Sequence, residues 1–356
     1  MPITRAYAQA AEPGNFFVAG KNKIINGDFN INQRGFTSTT TSAVYTFDRW
    51  RTVYGGGTTT YSSQSFTLGS APVAGYEARN FVRIVTASQS TTTDYAQYIQ
   101  NIEDVRTFAG QTVTLSFWAK ASTGTPSIAA EAAQNFGTGG SPSSQVNTTF
   151  GKTAITSSWA RYSLTLAIPS ISGKTLGTNN DSFLGIAFWT SAGSAYDART
   201  GSLGIQNVTI DIWGVQVEAG SVATPFTTAT GTLAGELAAC QRYYEKSFNI
   251  ETAPTTNSSV GWYSFYTNNS IANNDTLGTV VFKVTKRGTP TITVRPYATV
   301  ANTGRVSDIN GTDLAAGSGS AGNATQNSFY VSNGSGGTIT TLKTGVLFHW
   351  EASAEL

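Results

Sequence analysis

Groups able to exchange protons, attack carbon or hold a metal are scarce in this chain. Its single histidine, His349, stands between Phe348 and Trp350 in a stretch that alternates like a strand. One imidazole cannot build a histidine-rich metal site, and a triad needs partners from elsewhere. Alternation places His349 on the face opposite those two aromatics, as an exposed or interface residue. The single cysteine, Cys240, falls on the apolar spacing of a helix pattern, where a thiol is a buried filler and not a nucleophile. The sequence contains no Gly-x-Ser-x-Gly, no phosphate-cradling loop with lysine, no His-Glu-x-x-His and no Cys-x-x-Cys. Paired carboxylates remain, as glycosidases use them. Asp48, Asp94, Glu103, Asp181, Asp197 and Asp211 are available, but nothing in their spacing sets two of them across a sugar. The chain reads as a non-enzyme.

Binding chemistry is better supplied. Sugar C–H faces stack on flat aromatic rings, and the chain has 7 Trp, 15 Tyr and 19 Phe. Trp50, Trp118, Trp159, Trp189 and Trp213 lie inside strand-like patterns and are expected in the core. Trp262, Tyr263, Tyr266 and Tyr297 are the candidates for exposed stacking, beside the Asn- and Gly-rich loops 268–274 and 318–327. Asp308-Ile-Asn-Gly-Thr-Asp313 has alternating oxygens that suit calcium. It lacks the later bidentate glutamate, and Asn310-Gly311 reads first as a type I′ hairpin turn.

The elements that must position these residues follow from composition. Only 12% of the residues are charged, 39% are hydrophobic and 37 are glycine. Abundant Thr, Tyr, Phe and Val favour strands, and Gly, Asn and Ser favour turns. Good helix formers cluster at one place only, so the class is all-β with one helical connector. A net charge of +2 without a Lys/Arg run gives no electrostatic case for nucleic acid. No stretch is long and apolar enough to span a membrane, and Met1-Pro-Ile-Thr-Arg-Ala-Tyr lacks a signal-peptide core. Triplets such as Asn207-Val-Thr209 are then by-products of composition.

Strand patterns cover 24–31, 46–54, 81–85, 95–100, 113–120, 159–168, 183–189 and 208–213. After the helix they return at 260–266, 278–285, 290–295 and 345–350. Leu233, Leu237, Cys240 and Tyr244 share one helical face over 233–246. Such a short helix must pack on a β domain, on copies of itself, or both. The predicted organisation is an N-terminal arm at 1–21, a jelly-roll β-sandwich at 22–226, a linker helix at 227–247 and a smaller C-terminal β-sandwich at 248–356.

The phrases "IINGDFNINQRG", "FDRWR", "VTLSFWAKAS", "SWARYSLTLAIP", "LGIAFW" and "IDIWGVQVEAGS" occur in that order over residues 22–226. The ordered set resembles the galactose-binding-like jelly roll of carbohydrate-binding modules and virion domains. "VQVEAGSVATPF" followed by "CQRYY", with the C-terminal "FKVTKRGTP" and "FHWEASAEL", resembles bacteriophage tail-fibre and virion structural proteins. The resemblance implies a homotrimeric tail-fibre or appendage subunit. Residues 1–21 would bind other virion proteins, and the β domains would meet host surface glycans, distally and near the C-terminus. It also implies a protein made in the bacterial host cytoplasm and found in the virion. A capsid decoration or head-fibre protein would use the same domains. A free carbohydrate-binding module or glycan hydrolase is the alternative from another class. No cofactor is expected, except that such jelly rolls often hold a structural calcium between first and last strands, where Asp28 and Asp211 fall.

Overall fold

A computed structural model describes residues 20–266, 270–335 and 345–356. The arm at 1–21 therefore lies almost wholly outside the described residues, as do two residues of the loop 268–274.

Eleven strands between residues 38 and 219 form two antiparallel sheets. In chain order they are β1 (Ser38–Thr39), β2 (Arg51–Gly55), β3 (Thr58–Ser65), β4 (Asn80–Ala87), β5 (Tyr95–Glu103), β6 (Thr112–Ala121), β7 (Ser127–Asn135), β8 (Val146–Ala154), β9 (Ala160–Ala167), β10 (Phe183–Ala192) and β11 (Thr209–Ala219). One sheet has six strands in the order β1-β3-β4-β11-β6-β9, and the other has five, β2-β5-β10-β7-β8. Their inner faces share one core, with Tyr61, Ile84, Leu115 and Phe117 from the first sheet and Tyr98, Ile128, Ile186 and Phe188 from the second. Phe117 meets Phe188 edge-on, with ring centroids 4.9 Å apart. The expected jelly-roll sandwich is present.

Four strands of this sandwich escape the sequence pattern, the two-residue β1 and β3, β7 and β8. Thr58–Ser65 and Ser127–Asn135 read TTTYSSQS and SIAAEAAQN, too small and polar to show hydrophobic alternation. In the opposite direction, the segment 24–31 is not a strand but a turn. Asn26 and Phe29 both have positive φ. The Asn26 amide bonds Ile31 O and Asp48 O, and its Oδ1 accepts from Ile31 N. An asparagine side chain that satisfies local backbone groups competes with the strand ladder. The aromatics on the outer face of the six-stranded sheet are buried as well. Trp118 packs against Trp213 at 5.4 Å and Phe226 at 6.0 Å, so β6 is buried on both faces, with Trp118 beside Thr114 and Ser116 on the outer one.

The second sandwich begins after two short helices, α1 (Asp197–Thr200) and α2 (Leu233–Gln241). Its strands are β12 (Tyr244–Lys246), β13 (Tyr263–Phe265), β14 (Thr276–Val281), β15 (Thr291–Pro296), β16 (Ser307–Asp308), β17 (Ser320–Gly322), β18 (Ser328–Ser332) and β19 (Val346–Ser353). β12, β13, β15 and β16 all pair with β19, and β14-β18-β17 forms the facing sheet. Val346, Phe348, Trp350 and Ala352 of β19 pack on Val280, Phe329 and Val331.

The helix is shorter than its pattern. It stops at Gln241, and Tyr244 is already in β12. Leu233 is 59% exposed, whereas Glu236, Cys240 and Gln241 are buried. The Glu236 carboxylate accepts from Asn26 N at 2.7 Å and from Thr230 N at 2.7 Å. With its acceptor sites filled by backbone donors, a buried glutamate is tolerated, and the helix rests on its own chain through that polar contact.

Candidate functional site

The phrases that mark this chain converge on one place, the joint between the sandwiches. Gln33 N and Nε2 both donate to the Asp48 carboxylate at 2.6 Å, and Nε2 also donates to Tyr244 O at 2.8 Å. Arg34 lies over the Tyr244 ring at 3.8 Å, and Arg49 over the Tyr243 ring at 3.4 Å. Both guanidinium groups meet Glu355, Arg34 at 3.1 Å and Arg49 at a short contact. The side chains of Arg49 and Glu355 are 1% and 6% exposed. Gly35 has φ +60, and a Cβ there would stand 2.6 Å from Ala253 N. Only glycine adopts that backbone conformation without cost and lets the second sandwich approach.

The partner phrase "CQRYYEK" supplies the other half. Cys240 is fully buried, and burial pushes its thiol pKa well up. Gln241 O and the Glu245 carboxylate each accept from Lys286 Nζ at 2.5 Å. Arg242 makes a bidentate pair with Glu103 at 2.9 and 2.7 Å, and Tyr243 OH donates to Glu103 at 2.9 Å. Burial pushes the Asp48 carboxyl up to about 6, although Arg34 and the Gln33 donors pull it down. These residues fix one sandwich on the other. The sequence held a signal for them, charged residues inside otherwise apolar phrases, but gave no means of pairing them.

The candidate stacking residues separate into two environments. Trp262 is 36% and Tyr266 70% exposed. Trp262 meets the half-buried Tyr297 edge-on, with centroids 6.2 Å apart. Tyr263 points inward, at 5.8 Å from Trp350 and 6.1 Å from Phe348, so it belongs to the packing of β13. Tyr266 borders a cavity of about 240 Å³ with Ser270, Asp275 and Thr276. The turn at 308–313 stands beside Tyr297, whose ring a Cβ on Gly311 would touch at 3.1 Å. Asp308 Oδ1 closes that turn by accepting from Asn310 N and Thr312 N. Only Gly311 has positive φ there, so it is not the type I′ form, which needs two such residues.

His349 lies opposite Phe348 and Trp350 as alternation requires, yet it is fully buried. Phe248 stacks on it at 3.9 Å, and Ser247 Oγ and Ser258 O bond its two ring nitrogens at 2.9 Å. Burial lowers its pKa, so it sits in the joint-side wall as a satisfied, neutral ring.

Of the candidate acids, Asp48, Asp94, Glu103, Asp181 and Asp211 are engaged in structural bonds. Asp94 accepts from Ser90 N and Thr91 N, Asp181 from Thr138 N, and Glu103 and Asp48 serve the joint. Asp211 takes the Arg83 guanidinium at 2.7 and 2.9 Å, with Lys120 Nζ at 3.7 Å. That donor set does not fit a calcium ligand, since two cations already face the carboxylate. Asp28 accepts from Tyr76 OH at 2.7 Å and Asn30 Nδ2 at 2.6 Å. Burial raises the pKa of both Asp28 and Glu236, which line one cavity of about 170 Å³ beside α2. Among the described residues no group of three or more His, Cys, Asp or Glu is placed to hold a metal.

The outer face of the five-stranded sheet is closed over its tryptophan. Trp189 is fully buried, with Tyr196 at 5.3 Å and the Arg199 guanidinium at 4.9 Å over its ring. Glu131 holds Arg199 there through two bonds of 2.7 and 2.8 Å. Trp189 therefore offers no open stacking face.

No protein-family model and no curated protein sequence matches the chain. Among solved structures it is similar to the enzymatically active domain of bacteriophage CBA120 tailspike protein 4, at 15% identity and a TM-score of 0.33, covering 56% of this chain and 22% of that one. It is also similar to a putative sugar binding protein from Bacteroides thetaiotaomicron, at 14% identity and TM-score 0.33, covering 56% and 100%. A third is the family 11 carbohydrate-binding module from Clostridium thermocellum in complex with a mixed-linked tetrasaccharide, at 12% identity and TM-score 0.32, covering 52% and 98%.

Proposed function

We propose that the chain is a non-enzymatic structural protein of a phage virion, an appendage subunit that contacts host surface glycans through Trp262, Tyr297 and Tyr266. The edge-to-face pair of the partly exposed Trp262 and the half-buried Tyr297 carries the glycan half of this reading. Large aromatic faces left open to water are suited to the C–H surface of a sugar, with the polar tips free to bond its hydroxyls. The virion half rests on the ordered phrases and their resemblance to tail-fibre proteins. In this reading residues 1–21 attach to other virion proteins, and the chain works as a homotrimer. A head-decoration protein would use the same domains, and its place on the particle separates the two.

The test has two arms. A glycan array probed with the full chain and with Trp262→Ala should show binding to host surface polysaccharide that the variant loses, with the folding transition unchanged. Cryo-electron microscopy of purified particles should place three copies on an appendage. A chain that is monomeric and absent from particles, or whose glycan binding ignores Trp262→Ala, overturns the reading.

A further inference from the structure

A cavity of about 610 Å³ opens on the first sandwich where Glu251 of the second reaches it. Its walls come from three places. Asn32, Phe36 and Thr37 precede β1; Ser63, Ser65 and Phe66 end β3; and Glu77 to Asn80 lead into β4. Glu251 closes it from the second sandwich, 3.6 Å from Arg79, and both side chains are 68% exposed. The Gly35–Ala253 contact two residues away fixes where that loop stands. A volume of this size falls in the roughly 300–1,000 Å³ range of small-molecule sites, which favour domain interfaces.

The lining decides the ligand class. Leu68, 89% exposed, and the half-buried Phe66 supply apolar surface, and Phe36 and Ala78 line the cavity from the core. The same lining carries donors and acceptors. Arg79 and the Asn80 amide nitrogen donate, Glu77 and Glu251 accept, and Thr37, Ser63 and Ser65 do both. Much of this capacity is unused. Among the described residues, the Asn80 side chain is engaged only through Oδ1, by Ser65 at 3.4 Å, and Glu77 accepts only from Gly69 N at 3.1 Å. An anion would meet two carboxylates here, and a cation would meet Arg79. A neutral ligand bearing many hydroxyls, each both donor and acceptor, matches the set, and its C–H surface matches the apolar surface.

We propose that this seam cleft is a second, independent binding site for a neutral oligosaccharide of about three units. It rests on its own cavity and not on the Trp262 patch. Because Glu251 and Arg79 lie on different sandwiches, a ligand held by both ties the two together. Binding then raises resistance to unfolding by mass action.

The experiment uses the full chain carrying Trp262→Ala, which silences the patch, titrated by calorimetry with cellotriose, xylotriose and tri-N-acetylchitotriose. At least one should bind saturably, and binding should weaken tenfold or more in Arg79→Ala and in Ser65→Trp, which fills the cleft from an exposed position. The same sugar should raise the urea midpoint of the parent and not of the Ser65→Trp chain. Saturable binding that ignores both substitutions, or no saturable binding by any of the three sugars, overturns the seam site. Binding seen only when Trp262 is intact also overturns it, while leaving the patch reading in place.

Discussion

Replacing Glu355 by glutamine tests whether the joint is held by its buried charges. The carboxylate is 6% exposed and bonds Arg34 and Arg49, whose side chains are 15% and 1% exposed. Glutamine keeps the shape and removes the charge, so two guanidinium groups stay in the interface without their shared counter-ion. Breaking a buried pair from one side costs about 3–5 kcal/mol. Here the lower end applies, because Arg34 retains Asp48 at 3.9 Å and both arginines keep their tyrosine rings, each contact offsetting about 0.5–2 kcal/mol. The expected loss is about 3 kcal/mol, close to two powers of ten in the unfolding constant. Urea unfolding followed by tryptophan fluorescence reads it directly. The double variant Arg49→Met with Glu355→Gln removes charges of both signs and should cost at least ~1.5 kcal/mol less than the sum of the single variants. A Glu355→Gln loss below ~0.5 kcal/mol, the scale of an exposed pair, would refute the reasoning.

Three further outcomes follow from the same joint. Gly35→Ala puts a Cβ 2.6 Å from Ala253 N at a φ of +60 and should destabilise the chain by about 1–3 kcal/mol, measured by urea midpoint against the neutral control Ser65→Ala. Cys240, fully buried with a raised pKa, should resist DTNB in the native protein and react once urea opens the joint; rapid native labelling would show that α2 is not seated as described. Asp48, raised from 3.8 to about 6 by burial, binds its proton more tightly folded than unfolded. Its contribution is therefore full below about pH 4 and is lost as pH rises to about 6, a change of roughly 3 kcal/mol. Stability measured from pH 4 to 6.5 should show that decline in the native chain and a flatter profile in Asp48→Asn.

The sequence by itself determined the class of this protein and much of its order along the chain. Strand patterns such as Val113–Lys120 and Phe183–Trp189 were legible because bulky residues recur with period two against a shared core. Strands such as SIAAEAAQN were not, since alanine and threonine fit a pleated face only when neighbours supply the bulk. The aromatics were legible as types but not as environments. Trp262 and Tyr263 are adjacent, and pleating sends one outward and the other onto Trp350. His349 was placed on the correct face, yet whether that face is open depends on Phe248 and Ser258 lying across it.

Tertiary structure alone decided what the conspicuous phrases are for. "INQRG" and "FDRW" lie about two hundred residues before "CQRYYEK", and no periodicity links them. Folding brings Gln33, Arg34 and Arg49 onto Tyr243, Tyr244 and Glu355, because buried charges must find partners and only the other sandwich provides them. The same apposition brings Glu251 of the second sandwich onto the cleft that residues 32–80 of the first one line.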